Sequence, residues 1–261
     1  MPDRLLALDV GNTHTVVGLF VDQTLEAHWR LTTHGDRTAD ETGLWLNQLL
    51  QWTGLDLGDL VGVAVASVVP AVDPQIQEAV QRFLRVTPFF IEPGIRTGMP
   101  LRVEAPQELG ADRLCDAVAA HHKYGGPCVV IDFGTAVTWE VVSAGGEYLG
   151  GIIAPGPGIT SEALFSRTAR LPQVALAPPP RVIGKATVDS IQSGMFYGYL
   201  GLVEGITRRV VAELGAAPVV ATGGYAEVIA PHCELIDHVE PNLTLEGLHL
   251  LWRKNRDGGR P

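Results

Sequence analysis

The sequence predicts a duplicated α/β fold, and three observations carry that prediction. Near the N-terminus an apolar run closes on Asp-x-Gly, passes through a Thr-containing turn and returns as a second apolar run (LLAL, DVGNTHT, VVGLF; Leu5–Phe20). Nearly half the chain later the same order recurs over Cys128–Val142 (CVVI, DFGTAVT, WEVV). Each copy leads into alternating strand-like and helix-like segments, the pattern of a sheet covered by helices. Self-similarity at this spacing marks two like units, placed at 1–122 and 123–261.

In the first half, each apolar run around the polar turn predicts one strand of a hairpin, with a third strand at Trp29–Thr32. Ala39–Trp52 has helical spacing, with Leu44, Trp45, Leu49 and Trp52 near one face. Leu60–Val69 predicts a buried strand, Asp73–Leu84 a helix with Asp73 as N-cap before Pro74, and Pro88–Glu92 a short strand. Glu108–Tyr124 is expected to be helical, with the adjacent His121 and His122 at the surface.

The second half continues past its hairpin into a Gly-rich stretch, Gly145–Gly158, and a helical segment, Ile159–Thr168. Pro172–Arg181 holds three consecutive prolines and predicts a loop. Thr187–Leu214 is a long helical run with Ile191, Met195, Tyr199, Leu202, Ile206 and Val210 spaced by three or four. Strands are predicted at Pro218–Ala221 and Glu234–Val239, a helix at Asn242–Trp252, and a frayed tail at Arg253–Pro261.

With 46% hydrophobic and 18% charged residues the composition is that of a globular protein. A net charge of −10 argues against the positive surface that nonspecific nucleic-acid binding needs and leaves room for a local basic pocket for an anionic ligand. The short apolar run at Leu5–Leu8, interrupted by Asp9, does not read as a signal peptide, and no stretch approaches the length of a membrane span. Cys115, Cys128 and Cys233 lie far apart and form no CxxC, as expected of reduced thiols in a cytoplasmic protein.

Three segments carry the chemistry. In Asp9-Val10-Gly11-Asn12-Thr13 a glycine lets backbone approach a phosphate, Asn and Thr donate to its oxygens, and Asp suits Mg²⁺, directly or through water. Asp132-Phe133-Gly134-Thr135-Ala136 offers a second turn of the same kind. Thr222-Gly223-Gly224 follows a strand and leaves room for a flat base and its ribose. Rival nucleotide motifs are absent: Gly184-Lys185-Ala186 lacks the P-loop hydroxyl, and Gly156-x-Gly158 misses the dinucleotide fingerprint. A fourth segment, Gly110-Ala111-Asp112-Arg113, places a carboxylate and a planar cation at the start of a helix, suited to a general base and an anion ligand.

The three nucleotide segments resemble the pattern of the acetate kinase/sugar kinase/Hsp70/actin superfamily. With Gly110–Arg113, the run Gly150–Gly156 and Gly184–Gly194 (GKATVDSIQSG), the chain resembles the type III pantothenate kinases over nearly its whole length. The resemblance implies duplicated ribonuclease H-like (actin-like ATPase) domains with an interdomain nucleotide cleft. It implies ATP-dependent phosphorylation of pantothenate to 4′-phosphopantothenate, the first step of coenzyme A biosynthesis. Asp112 is then the catalytic base, and Gly110, Ala111, Asp112, Arg113 and Thr187 contact pantothenate, Thr187 from the partner subunit of a homodimer. ATP falls to Asp9–Val16 (including Val10, His14, Thr15 and Val16), Thr135, Gly223 and Gly224. Asp132 holds K⁺ or NH₄⁺, and Asp9 lies near Mg²⁺. Where the family often has a Tyr shortly before this Gly-Ala-Asp-Arg segment, Val103-Glu104-Ala105-Pro106 stands here, so no tyrosine contact comes from that position. Two other readings remain open: a kinase or phosphatase of the superfamily acting on a sugar or polyphosphate, and a non-catalytic regulator on the same fold.

Overall fold

The computed structural model describes residues 2–55, 60–168 and 171–257. Two five-stranded sheets organise the chain, and their strand orders match position by position. In the first, β1 (Arg4–Val10) lies between antiparallel β2 (His14–Val21) and parallel β4 (Gly62–Ser67). Outside these run β3 (Thr24–Thr32), antiparallel to β2, and β5 (Pro88–Phe90), parallel to β4. The second sheet repeats the scheme around β6 (Cys128–Phe133). Antiparallel β7 (Ala136–Val142) and β8 (Tyr148–Pro155) lie on one side, and parallel β9 (Val219–Thr222) and β10 (His238–Val239) on the other. A register shift falls near the connecting turn of β2–β3, between Leu19 and Phe20, and again near that of β7–β8, between Val141 and Val142. The shared order, the shared orientations and the paired irregularities make these two copies of one unit.

The first unit comprises Met1–Gly98, Glu104–Ala119 and Leu243–Pro261; the second comprises Met99–Val103 and Ala120–Asn242. Helix α1 (Ala39–Trp52) opens on a capping box, with Thr38 and Glu41 each bonded to the other's backbone N–H. Its buried face is Ala39, Thr42, Gly43, Leu46, Leu49 and Leu50, whereas Leu44 and Trp52 of the expected face are exposed. Helix α2 (Asp73–Ala79) widens into a π-helical turn over Val80–Leu84. Val72 is its N-cap, so Asp73 is the first helical residue and not the cap. The helix expected from Glu108 instead breaks: Pro106–Glu108 form a 3₁₀ turn, Leu109 is extended, and α3 runs Ala111–Tyr124. Its first turns belong to the first unit and its last turn to the second. His121 is partly buried and not a surface residue; its Nδ1 meets no hydrogen-bond partner.

In the second unit, the glycine-rich stretch contains strand β8 and leads into α4 (Pro157–Ser166). Residues 172–180 have no regular structure. Helix α5 (Thr187–Leu214) turns Met195, Phe196, Tyr199 and Val203 into the core, while Gly194, Gly198 and Gly201 on another face have open space before them. After the short α6 (Ala226–Ile229), the strand expected from Glu234 is confined to β10. Leu235 and Ile236 reach the core from a turn closed by the Ile236 N–H on the Cys233 carbonyl at 3.2 Å.

Helix α7 (Leu243–Asp257) returns to the first sheet and packs across β1, β2 and β4. Gly18 and Gly62 leave room there for Leu245 and Trp252: a Cβ on either glycine would stand 2.8 Å from them. The tail expected to fray from Arg253 is helical through Asp257, because Arg256 pairs with Asp3 at 2.6 Å and Asn255 bonds the backbone of Arg96 at both N–H and carbonyl. Residues 258–261 lie outside the described part. Among the described residues no helix is long and apolar enough to cross a membrane.

Candidate active site

Asp9 and Asp132 occupy the same place in their sheets, the penultimate residue of the central strand. Asp9 is flanked by Val16 of β2 and Ala66 of β4; Asp132 is flanked by Thr138 of β7 and Thr222 of β9. After Asp9 the chain reverses through Gly11–Thr13, closed by the Gly11 N–H on the His14 carbonyl at 3.0 Å. Asn12, Thr13 and His14 are exposed at this tip, whereas Thr15 points inward with its hydroxyl 2.9 Å from that of Thr33. Burial, followed by the charge of Arg30, holds the His14 imidazole below its ordinary pKa.

Asp112 sits in the first turn of α3, where the positive end of the helix dipole favours a carboxylate. Its Oδ1 accepts the Arg113 N–H at 2.7 Å. Gly110 makes space for it, since a Cβ there would lie 2.5 Å from Oδ1. Burial raises the Asp112 pKa above the usual aspartate range, against the lowering influence of the Arg113 N–H and guanidinium. A carboxylate whose affinity for protons is raised in this way is better matched to accept one from a hydroxyl. Asp9 and Asp112 are brought together within the first unit: both charges, together with that of Asp116, act on the fully buried thiol of Cys115. After burial itself, these charges push that thiol well above its ordinary pKa. Asp116, one helical turn beyond Asp112 and 1% exposed, carries no local signal, because the bond it accepts from the Thr244 hydroxyl at 2.7 Å joins residues far apart in the chain.

The second unit carries its own cluster. Thr135 is exposed at the β6–β7 turn. Gly223, with φ of 87°, curls over the end of β6: a Cβ on it would lie 2.2 Å from Asp132 Oδ1 and 2.7 Å from the Phe133 backbone. The Tyr225 N–H then bonds the Phe133 carbonyl at 3.4 Å. Asp132, Gly134, Thr135, Gly223 and Gly224 are thus assembled at one end of β6 and β9. Thr187 is the exposed first residue of α5 in this unit, while Gly110–Arg113 belong to the other.

Two sheets of one topology, each ending its central strand in an Asp-x-Gly turn, define the duplicated ribonuclease H-like class of the actin-like ATPases and sugar kinases. Solved structures share this fold. They include a Campylobacter jejuni protein assigned to the Baf family of transcriptional activators (TM-score 0.59, 19% identity, 97% of this chain and 99% of that one). Another is the ethanolamine utilization protein EutJ of Carboxydothermus hydrogenoformans (TM-score 0.55, 13% identity, 96% and 90%). Within the class, the sequence profile of type III pantothenate kinase matches residues 5–209. Type III pantothenate kinases from Moorella thermoacetica and Koribacter versatilis are 52% and 47% identical over 252 and 267 residues, covering 96% and 98% of this chain and 99% and 97% of their own. The chain belongs to the type III pantothenate kinase family.

Proposed function

We propose that the protein transfers the γ-phosphoryl group of ATP to the terminal hydroxyl of pantothenate, giving 4′-phosphopantothenate for coenzyme A synthesis. The observation that carries the reading is the Asp112 carboxylate, raised in pKa by burial at the start of α3, in the same compact unit as the Asp9–Thr13 turn. Asp112 takes the hydroxyl proton as the phosphoryl group leaves ATP, and Arg113 pairs with the pantothenate carboxylate through its planar fork. Asn12 and Thr13 meet phosphate oxygens, as does Thr135; Gly223 and Gly224 lie under the adenosine. Catalysis of this kind is mostly positioning and electrostatics.

Among the described residues no group of three or more His, Cys, Asp or Glu could hold a metal. A Mg²⁺ ion that takes most of its ligands from phosphate and water needs only one carboxylate from the protein, and Asp9 fits that role. Asp132, beside the space that a Cβ on Gly223 would fill, fits K⁺ or NH₄⁺ with carboxylate and carbonyl oxygens. Bound there, these ions offset the charge of the phosphates.

A homodimer built on α5 is part of the same reading. A side chain at Gly194, Gly198 or Gly201 would begin in open space, and Val188 and Tyr197 are exposed on that helix. Close helix approach through such a face suits a symmetric contact, and Thr187 at the helix start would serve the partner's pantothenate. We place the protein in the cytoplasm, where its substrates are.

The test is ADP release by the purified protein with ATP, Mg²⁺ and pantothenate, in K⁺ and in Na⁺. Pantothenate-dependent release stimulated by K⁺ supports the activity and the cation site. Release that ignores pantothenate overturns the acceptor assignment.

A further inference from the structure

Thr33 lies one residue beyond β3 and meets both limbs of the Gly11–Thr13 turn. Its N–H donates to the Thr13 carbonyl at 3.0 Å, carrying the β2–β3 ladder past its last strand pair, His14 with Thr32. Its hydroxyl donates to the Gly11 carbonyl at 2.7 Å, on the opposite limb. A hydroxyl has one proton, and this bond uses it. The 2.9 Å contact between the Thr15 and Thr33 hydroxyls is therefore a donation from Thr15 to Thr33. The outcome is a directed chain from Thr15 through Thr33 to the Gly11 carbonyl, anchored by a Thr15 that is only 6% exposed.

The planar trans peptide turns this into a statement about the outer face of the loop. In such a unit the C=O and the next N–H point in opposite directions. Holding the Gly11 carbonyl toward Thr33 aims the Asn12 N–H away from it. Without that hold the peptide is able to rotate and present its carbonyl to an incoming anion, which repels it.

We propose that Thr33 is a positioning residue for nucleotide binding: it fixes the Gly11–Thr13 turn with the Asn12 N–H outward while making no contact with the nucleotide. The inference rests on the reading of Asp9–Thr13 as a phosphate loop.

The experiment measures binding of Mg²⁺–AMP-PNP by calorimetry, alongside KM for ATP and for pantothenate, in wild type, Thr33→Val and Thr33→Ser. Valine keeps the shape and removes both hydroxyl bonds. It is expected to weaken nucleotide binding and raise the ATP KM about tenfold, the worth of one to two hydrogen bonds, with the pantothenate KM within about twofold. Serine restores the hydroxyl and is expected to bind like wild type. Should valine disturb folding, Thr33→Ala set against Thr33→Ser gives the same contrast. Equal nucleotide affinity with and without the hydroxyl overturns the inference, as does an equal rise in both KM values. A wild type that binds AMP-PNP but does not phosphorylate pantothenate overturns the proposed activity and leaves the role of Thr33 intact. A wild type that does not bind AMP-PNP overturns the phosphate-loop reading and this inference with it.

Discussion

The Thr244 hydroxyl donates to the buried carboxylate of Asp116 at 2.7 Å, tying α7 to α3 one turn beyond Asp112. Three residues on, Gly247 lies so close to α3 that a Cβ would stand 2.1 Å from the Cys115 carbonyl. A hydrogen bond to a charged, buried acceptor contributes about 1.5–3 kcal/mol. Thr244→Val is expected to lose stability in that range in urea unfolding. Gly247→Ala should lose more, because the atom in its way is backbone and has no rotamer to adopt. Both should lower kcat through displacement of the helix that carries Asp112.

Asp112→Asn separates chemistry from folding. The folded pKa of Asp112 is raised by burial, so its contribution to stability is fully present below the unfolded pKa and is lost as pH rises through the folded pKa. At neutral pH the wild type therefore carries the cost of a buried charge that Asn does not. Melting temperatures measured against pH should show the variant at least as stable as wild type near neutrality, with the gap closing toward acid. ADP release should be abolished. In the wild type, kcat/KM should rise with pH along an acid limb displaced above the usual aspartate range.

Gly223→Ala places a methyl group at a positive φ and against both Asp132 and the Phe133 backbone. Backbone strain alone costs about 1–2 kcal/mol. ATP affinity and K⁺ stimulation should fall together, because the methyl group displaces Asp132 and the end of β6, and titration of ADP release against K⁺ at several ATP concentrations would read the fall. Normal K⁺ stimulation in this variant counts against the Asp132 cation site.

The thiols should be inert in the native protein. Burial pushes the Cys128 thiol up to about 12, and the Cys115 thiol is raised well above its ordinary value by burial and three carboxylates. Cys233 is raised mainly by burial as well. Titration with a chromogenic disulfide at pH 8 should find no rapidly reacting thiol until denaturant is added, then three. A fast native reaction contradicts the burial of the thiol that reacts.

Local signals reached some features and not others. The two hairpins were legible because Asp9 and Asp132 end apolar strands of the same design, and α5 keeps its predicted limits, Thr187–Leu214, because its apolar residues hold one spacing over 28 residues. The face of α1 was misread because Leu44 and Trp52 are apolar yet exposed, while Thr42 and Gly43 are buried. The break before Asp112 falls at the extended backbone of Leu109, and the adjacent Gly110, a poor helix former, is its one local sign. The seat of α7 on β1, β2 and β4 depends on Gly18 and Gly62 being small opposite Leu245 and Trp252, a complementarity that no local window contains. The hold of Thr33 on Gly11 likewise joins residues 22 apart.

That late return of α7 also sets an order of events during synthesis. The second unit is nearly continuous, from Ala120 to Asn242, and every strand of its sheet has been translated before α7 emerges. The first sheet, although translated earlier, keeps one face open to water until Leu245, Leu248 and Leu251 arrive to cover it. On the ribosome the later-made half is thus able to mature first, while the half bearing Asp112 waits as an aggregation-prone intermediate. A stop codon before Leu243 would therefore leave the second core whole and the aspartate's own scaffold unfinished.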